Sequence, residues 1–154
     1  MTHFNKNTVK AIRAWLKKHH FHSLVRMEKE MAYDPTIDTI VIPSVYDSYC
    51  DEWFMRFLRS HGLIGDFDGI TLSILHELGH AKTVKNFTED EWADCAIEKQ
   101  ILDLMALSDE EYINAYWTVE NEYVANIWAI EFANKHPKLV QELEDMIAST
   151  LVEM

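Results

Sequence analysis

The chain contains 154 residues, 48% of them hydrophobic and 12% aromatic, and this length and composition predict one folded domain covering residues 1–154. Its formal net charge of −12 argues against nucleic-acid binding, because an acidic surface repels phosphate backbones. No leader-like segment opens the chain and no run approaches the roughly 18 apolar residues of a membrane span, so a cytoplasmic protein without membrane contact is expected. Cys50 and Cys95 lack a C-x-x-C spacing, which is typical of reduced thiols.

The first predicted elements are an amphipathic helix and a β-hairpin. Residues 8–20 carry apolar side chains on one stripe and lysines opposite, and we interpret the lysines as a solvated face rather than a nucleic-acid arm. Loose alternation over residues 24–33 and a β-branched run over residues 37–42 predict two strands joined by a turn at residues 34–36. One of these strands is expected to be an exposed edge to which an extended peptide can add.

The rest of the chain is predicted to be helical. Residues 48–61 form a helix that Gly62 ends, and a further helix spans residues 69–83. Two capping-box motifs, which begin at residues 88 and 108, predict helices that extend to about residue 107 and about residue 134. Pro137 precedes a final helix. The predicted fold class is therefore α+β, mostly helical, with a short sheet or hairpin packed on the helix of residues 69–83.

A metal-binding motif, H-E-x-x-H, occupies residues 76–80. His76 and His80 lie four residues apart, which places both imidazoles on one helix face within reach of a single ion. Glu77 projects beside that face and can act on a metal-bound water as a general base. Gly79 costs about 1 kcal/mol of helix propensity relative to alanine, which predicts a close approach by another element.

A catalytic zinc ion with two histidines needs a third protein ligand and leaves the fourth position to water. Glu122 is the preferred candidate, because Asn126 shares its helix face and can accept a hydrogen bond from a liganding histidine. Ala125 and Ala129 add small residues that allow close packing against Gly79. The alternatives that remain open are Asp90, Glu91, Glu98 and Glu120; His136, the only later histidine, lies against Pro137 at a helix end and is less suitable.

The combination of His76-Glu77-Leu78-Gly79-His80 with Glu122-x-x-Ala125-Asn126 resembles the gluzincin metallopeptidases, most closely the ImmA/IrrE-like branch of phages and mobile elements. The resemblance implies a small zincin-like domain in which a helix pair packs against a short sheet. It also implies that His76, His80 and Glu122 bind Zn²⁺, that Glu77 is the catalytic base, and that the substrate is an intracellular protein.

The expected activity is hydrolysis of a peptide bond by a zinc-activated water. The donor that stabilises the oxyanion stays open among five side chains: Tyr112, Tyr116, Tyr123, His136 and His20. The alternative is a non-catalytic zincin-fold accessory protein, of a kind found in phages, that acts through protein–protein interaction. Glu77 separates the two hypotheses, because a purely structural site needs no base beside the metal.

Overall fold

Helices make up most of the fold, and two small sheets complete it. The computed structural model describes residues 1–153. Within that range the chain is α+β, which confirms the predicted class at this level. Its helices are α1 (Lys6–Lys18), α2 (Asp51–Ser60), α3 (Gly69–Thr83), α4 (Glu89–Leu104), α5 (Asp109–Thr118), α6 (Glu120–Lys135) and α7 (Pro137–Ala148). Its strands are β1 (Thr2–His3), β2 (Leu24–Glu28), β3 (Ala32–Asp34), β4 (Thr39–Pro43), β5 (Val45–Tyr46) and β6 (Val152–Glu153).

One sheet has the strand order β2-β4-β3 and differs from the predicted hairpin. β3 and β4 pair antiparallel across a turn at residues 35–38, but β2 pairs with β4 in parallel. The prediction of a single strand over residues 24–33 is wrong, because a bend at Lys29 and Glu30 divides it in two. β4 is buried along its whole length, which explains its continuous β-branched run. Its central place leaves β3 as an edge strand beside α3.

A second sheet brings the two ends of the described chain together, and the sequence does not predict it. β1 pairs antiparallel with β5 on one side and with β6 on the other. Each of these strands has 2 residues, which is too short to show the alternation that marks a strand in a sequence. Asn5 caps α1 and also donates to the Thr150 carbonyl oxygen at 2.8 Å, so this region holds the start of α1 against the residues that follow α7.

Helix α3 carries the H-E-x-x-H motif and is buried on almost every face. Asp68 caps it by accepting a hydrogen bond from the Thr71 amide at 2.8 Å. A Cβ atom added to Gly79 would lie 2.4 Å from the carbonyl oxygen of Ala125, so α3 and α6 meet backbone to backbone at this point. The close approach predicted from Gly79 and Ala125 is confirmed, and it sets the distance between the two helices.

The segment predicted as one helix over residues 108–134 consists of two helices. α5 ends at Thr118 and α6 begins at Glu120, while Val119 between them has an extended backbone with φ −59° and ψ 135°. Two β-branched residues in succession have low helix propensity, and the buried side chain of Val119 anchors the turn in the core. The break places Glu122 in the first turn of α6, on the side that faces α3.

Most of the buried apolar side chains form one connected cluster, contributed mainly by α1, α2, α3, α6, α7 and β4. Cys50 and Cys95 are both free thiols. Among residues 1–153, no helix has both the length and the apolarity required to cross a bilayer.

Candidate metal centre

Three predicted ligands from two helices converge on one point. His76 Nε2 lies 2.8 Å from Glu122 Oε1, and His80 Nε2 lies 3.1 Å from the same oxygen. The potential ligand atoms of the three residues all fall within 4.8 Å of one another, and all three residues are buried. The i, i+4 spacing on α3 supplies the two imidazoles, and the close contact at Gly79 brings α6 near enough for Glu122 to reach both.

The other residues considered as the third ligand lie elsewhere. Asp90, Glu91 and Glu98 are exposed on α4, and Glu91 accepts a hydrogen bond from the Thr88 amide in the capping box of that helix. Glu120 is exposed at the start of α6. His136 caps α7, away from the three convergent side chains.

Asn126 orients the first histidine. Its side-chain oxygen accepts a hydrogen bond from His76 Nδ1 at 2.6 Å, and the residue is fully buried. Since an amide oxygen can only accept, Nδ1 carries the proton and the Nε2 of a neutral His76 is left with a lone pair for a metal. His80 Nδ1 is buried without a hydrogen-bond partner among the described residues. The structure thus places Asn126 where the sequence analysis expected it.

Lys99 is a member of the site that the sequence analysis missed. Its ammonium group donates to Glu122 Oε2 at 2.5 Å and lies 5.1 Å from the centre of the Tyr116 ring. Glu122 therefore presents Oε1 to the histidines while Oε2 is held by a cation. The available signal was weak: Lys99 follows Trp92 by two helical turns on α4, so the two share a face, and both line the cavity described next.

The site opens into a cavity of about 450 Å³. Its walls include Glu77, the three convergent residues, Tyr33 of the edge strand and Trp92 of α4. Glu77 is 5% exposed and has no hydrogen-bond partner within residues 1–153, and its carboxylate lies 4.0 Å from His80 Nε2. Burial raises the pKa of Glu77 and the charge of Glu122 acts in the same direction, while the charges of His76, His80 and Lys99 lower it. A buried carboxylate that accepts no hydrogen bond is unfavourable for folding, and such groups are more frequent at functional sites than elsewhere.

His76 and Glu122 shift each other's pKa in opposite directions. Burial lowers the pKa of His76, but the hydrogen bond to Glu122 and the charges of Glu77 and Glu122 outweigh that effect and raise it to about 9. Burial raises the pKa of Glu122, yet its hydrogen bonds to His76 and His80 hold the pKa well below the usual range. In the metal-free protein, an imidazolium and a carboxylate therefore stabilise each other, and a metal ion must displace that proton to bind.

Tyr116 is the one oxyanion candidate from the sequence that borders the cavity; Tyr112, Tyr123, His136 and His20 do not line it. Burial, followed by the charges of Glu122 and Glu77, raises the pKa of Tyr116, so its hydroxyl stays protonated and can donate a hydrogen bond.

Comparisons of the chain with models of protein families, with curated proteins and with solved structures find no match.

Proposed function

We propose that this protein is a zinc-dependent metallopeptidase of the gluzincin type, with a zincin-like domain, that cleaves a protein in the cytoplasm. The observation that carries the proposal is the convergence of His76, His80 and Glu122 beside the buried carboxylate of Glu77, which has no hydrogen-bond partner among the described residues. The resemblance of the two motifs to the ImmA/IrrE-like branch supports the same function.

The residues present suit zinc. Two imidazoles and one carboxylate form a donor set that zinc favours, and three protein ligands leave one position for water. Asn126 fixes the tautomer in which Nε2 of His76 is the metal-binding atom. Lys99 holds the second oxygen of Glu122, which favours binding through one oxygen and not two.

A zinc ion held by these residues would lower the pKa of a bound water to about 7 and polarise the scissile carbonyl. Glu77, beside the three ligands and bordering the cavity, would accept a proton from water and pass it to the leaving amine. In the metal-free protein, burial already raises the pKa of this carboxylate, which favours its holding a proton. Tyr116 lines the same cavity, and its hydroxyl is assigned to stabilise the oxyanion.

The edge strand β3 supports a peptide as the substrate. β3 pairs with β4 on one side only within the described chain, and Ala32 and Tyr33 line the cavity. The Tyr33 ring stacks near the His80 ring with 6.3 Å between ring centres. An extended segment that adds to β3 would pass directly in front of the metal-binding residues.

The second candidate is a non-catalytic zincin-fold accessory protein that acts by protein–protein interaction. Large apolar side chains exposed on α4, which include Ile97, Ile101 and Leu104, favour an interaction role. Such a protein has no need of a buried carboxylate beside the metal ligands, so Glu77 favours the enzyme.

The decisive experiment measures metal by mass spectrometry on the wild-type protein and on Glu122→Ala and Glu98→Ala, all purified without added metal. We expect about one zinc per chain. The metal should be lost in Glu122→Ala and kept in Glu98→Ala, because Glu98 is a matched glutamate exposed on α4. A wild-type protein that contains no zinc and takes none up would refute the proposal.

Catalysis is tested separately from metal binding with Glu77→Gln. This variant should retain zinc, and it should lose hydrolysis of a library of unstructured peptides whose products are read by mass spectrometry. If Glu77→Gln cleaves the library as well as the wild type, Glu77 is not the catalytic base. If the zinc-loaded wild type cleaves nothing while Glu77→Gln keeps every biological effect, the accessory function is the correct one.

A further inference from the structure

Helix α4 exposes an apolar stripe on the side that faces away from the cavity. Ile97 is 53% exposed, Ile101 is 52% exposed and Leu104 is 87% exposed. Positions i, i+4 and i+7 lie on one face of a helix, so the three side chains form a continuous surface. Met105, at the C-cap, extends it with a side chain that is half exposed. Contiguous exposed apolar surface of this kind marks interaction sites more often than isolated apolar side chains do.

A row of carboxylates runs along one flank of the stripe. Asp90, Asp94 and Glu98 follow each other at intervals of four residues, and all three are exposed. None of them forms a salt bridge within residues 1–153. Like charges four residues apart on a helix repel each other, and a neighbouring cation would relieve that repulsion. A partner that covers the stripe is therefore expected to carry positive charge beside these carboxylates.

The same helix forms a wall of the candidate metal centre. On the inner face, the Trp92 ring lies 5.6 Å from the His80 ring, and Lys99 binds Glu122. Cys95 is the buried residue of α4, so the helix is held by a narrow inner face and leaves the rest of its circumference to solvent. A protein bound to the outer face would therefore contact the same helix that contributes Trp92 and Lys99 to the cavity wall.

We propose that the outer face of α4 binds a basic amphipathic helix of a protein partner, with its apolar side on Ile97, Ile101 and Leu104 and its Lys or Arg residues against the acidic flank. The identification of this partner as the substrate rests on the proposed function. The existence of the binding surface does not depend on that function. A second copy of this chain fits less well, because packing two such helices together brings two acidic flanks close in a protein of net charge −12.

The test uses a fluorescein-labelled synthetic helix with Leu at i, i+4 and i+7 and Lys along one flank, and fluorescence anisotropy measures its binding to the full chain carrying Glu77→Gln, which prevents turnover. The matched probe has Glu in place of each Lys. We expect the Lys probe to bind and the Glu probe to bind at least about tenfold more weakly, with an affinity for the Lys probe that falls as salt rises.

Variants localise the binding. Ile101→Gln should weaken the Lys probe about tenfold, because a buried apolar contact is lost. Ile64→Gln is the matched control, since Ile64 is 84% exposed but lies in the loop before α3. The pair Asp94→Asn and Glu98→Gln should reduce the salt dependence, whereas Glu131→Gln, an exposed glutamate on α6, should not. Thermal melting of each variant checks that it remains folded.

Three results would overturn the proposal: equal binding of the two probes, equal effects of Ile101→Gln and Ile64→Gln, or a dimer in sedimentation that Ile101→Gln dissociates, because a second copy would then be the occupant. Probe binding is measured without turnover. Its failure therefore counts against the docking surface alone, and a protein that holds no zinc counts against the proposed function alone.

Discussion

Gly79→Ala tests whether the contact between α3 and α6 sets the geometry of the metal centre. A Cβ at this position would lie 2.4 Å from the Ala125 carbonyl oxygen and 3.0 Å from the Ala125 Cα, whereas ordinary van der Waals contact begins near 3.4 Å. The obstacle is backbone, so no side-chain rotation relieves it. α6 must move away by roughly 1 Å, and Glu122 moves with it, although metal–ligand distances tolerate only about 0.2 Å.

Two effects of opposite sign decide the stability of this variant. Alanine improves helix propensity over glycine by about 1 kcal/mol, while overpacking of a tight contact costs about 1 to 3 kcal/mol. Because the contact is with backbone, we expect the upper part of that range and a net loss of about 1 to 2 kcal/mol. For a chain of 154 residues this corresponds to a melting temperature lower by roughly 2 to 8 °C.

The assay combines thermal melting in EDTA with a chelator competition for zinc. Gly79→Ala should lower both the melting temperature and the zinc affinity. The double variant Gly79→Ala with Ala125→Gly should not recover either, because the obstructing atom is the carbonyl oxygen at residue 125 and not its side chain. If Gly79→Ala melts at or above the wild-type temperature and binds zinc equally well, the close approach does not control the site.

Three further outcomes follow from the contacts of the site. Lys99→Met should destabilise the metal-free protein by about 1 to 3 kcal/mol in thermal melting, through loss of a charged hydrogen bond to Glu122, while Lys85→Met at an exposed lysine should have no effect. Asn126→Ala should weaken zinc binding about 10- to 100-fold in chelator competition, because His76 loses its acceptor. In EDTA, the raised pKa of His76 predicts that its contribution to stability is fully present below pH 6.5 and is lost as the pH rises through about 9. The lowered pKa of Glu122 predicts that the contribution of this carboxylate is lost in acid. A melting temperature that does not change across alkaline pH would contradict that pairing.

Local spacing explains why much of the site could be predicted from the sequence. The i, i+4 interval of His76 and His80 fixes their common face once residues 69–83 are helical. Glu122 could be preferred over four alternatives because Asn126 one turn later and the small residues beside it matched what a metal-binding helix requires. Both arguments depend on spacings within a single helix, and such spacings can be read directly from the sequence.

The features that could not be predicted depend on contacts between distant segments. Lys99 lies 23 residues from Glu122, and no spacing rule connects them. β1 pairs with β6 across almost the whole chain through strands of 2 residues each. The break at Val119 depends on where the core accepts its side chain, which only the packed fold determines. In each case tertiary packing, not local propensity, decides the outcome.

The distribution of charge in the site argues for catalysis over a structural metal. Glu122 is shared by His76, His80 and Lys99, so the fold stabilises this carboxylate even in the metal-free protein. Glu77 is almost as deeply buried, and burial raises the pKa of its carboxylate although the charges of His76, His80 and Lys99 lower it. A site that only needed to hold a metal would be more stable with an apolar residue at position 77, because burying a carboxylate is costly even beside cations. The carboxylate lines the cavity, and the proposed catalytic role, in which it accepts a proton, would account for that cost.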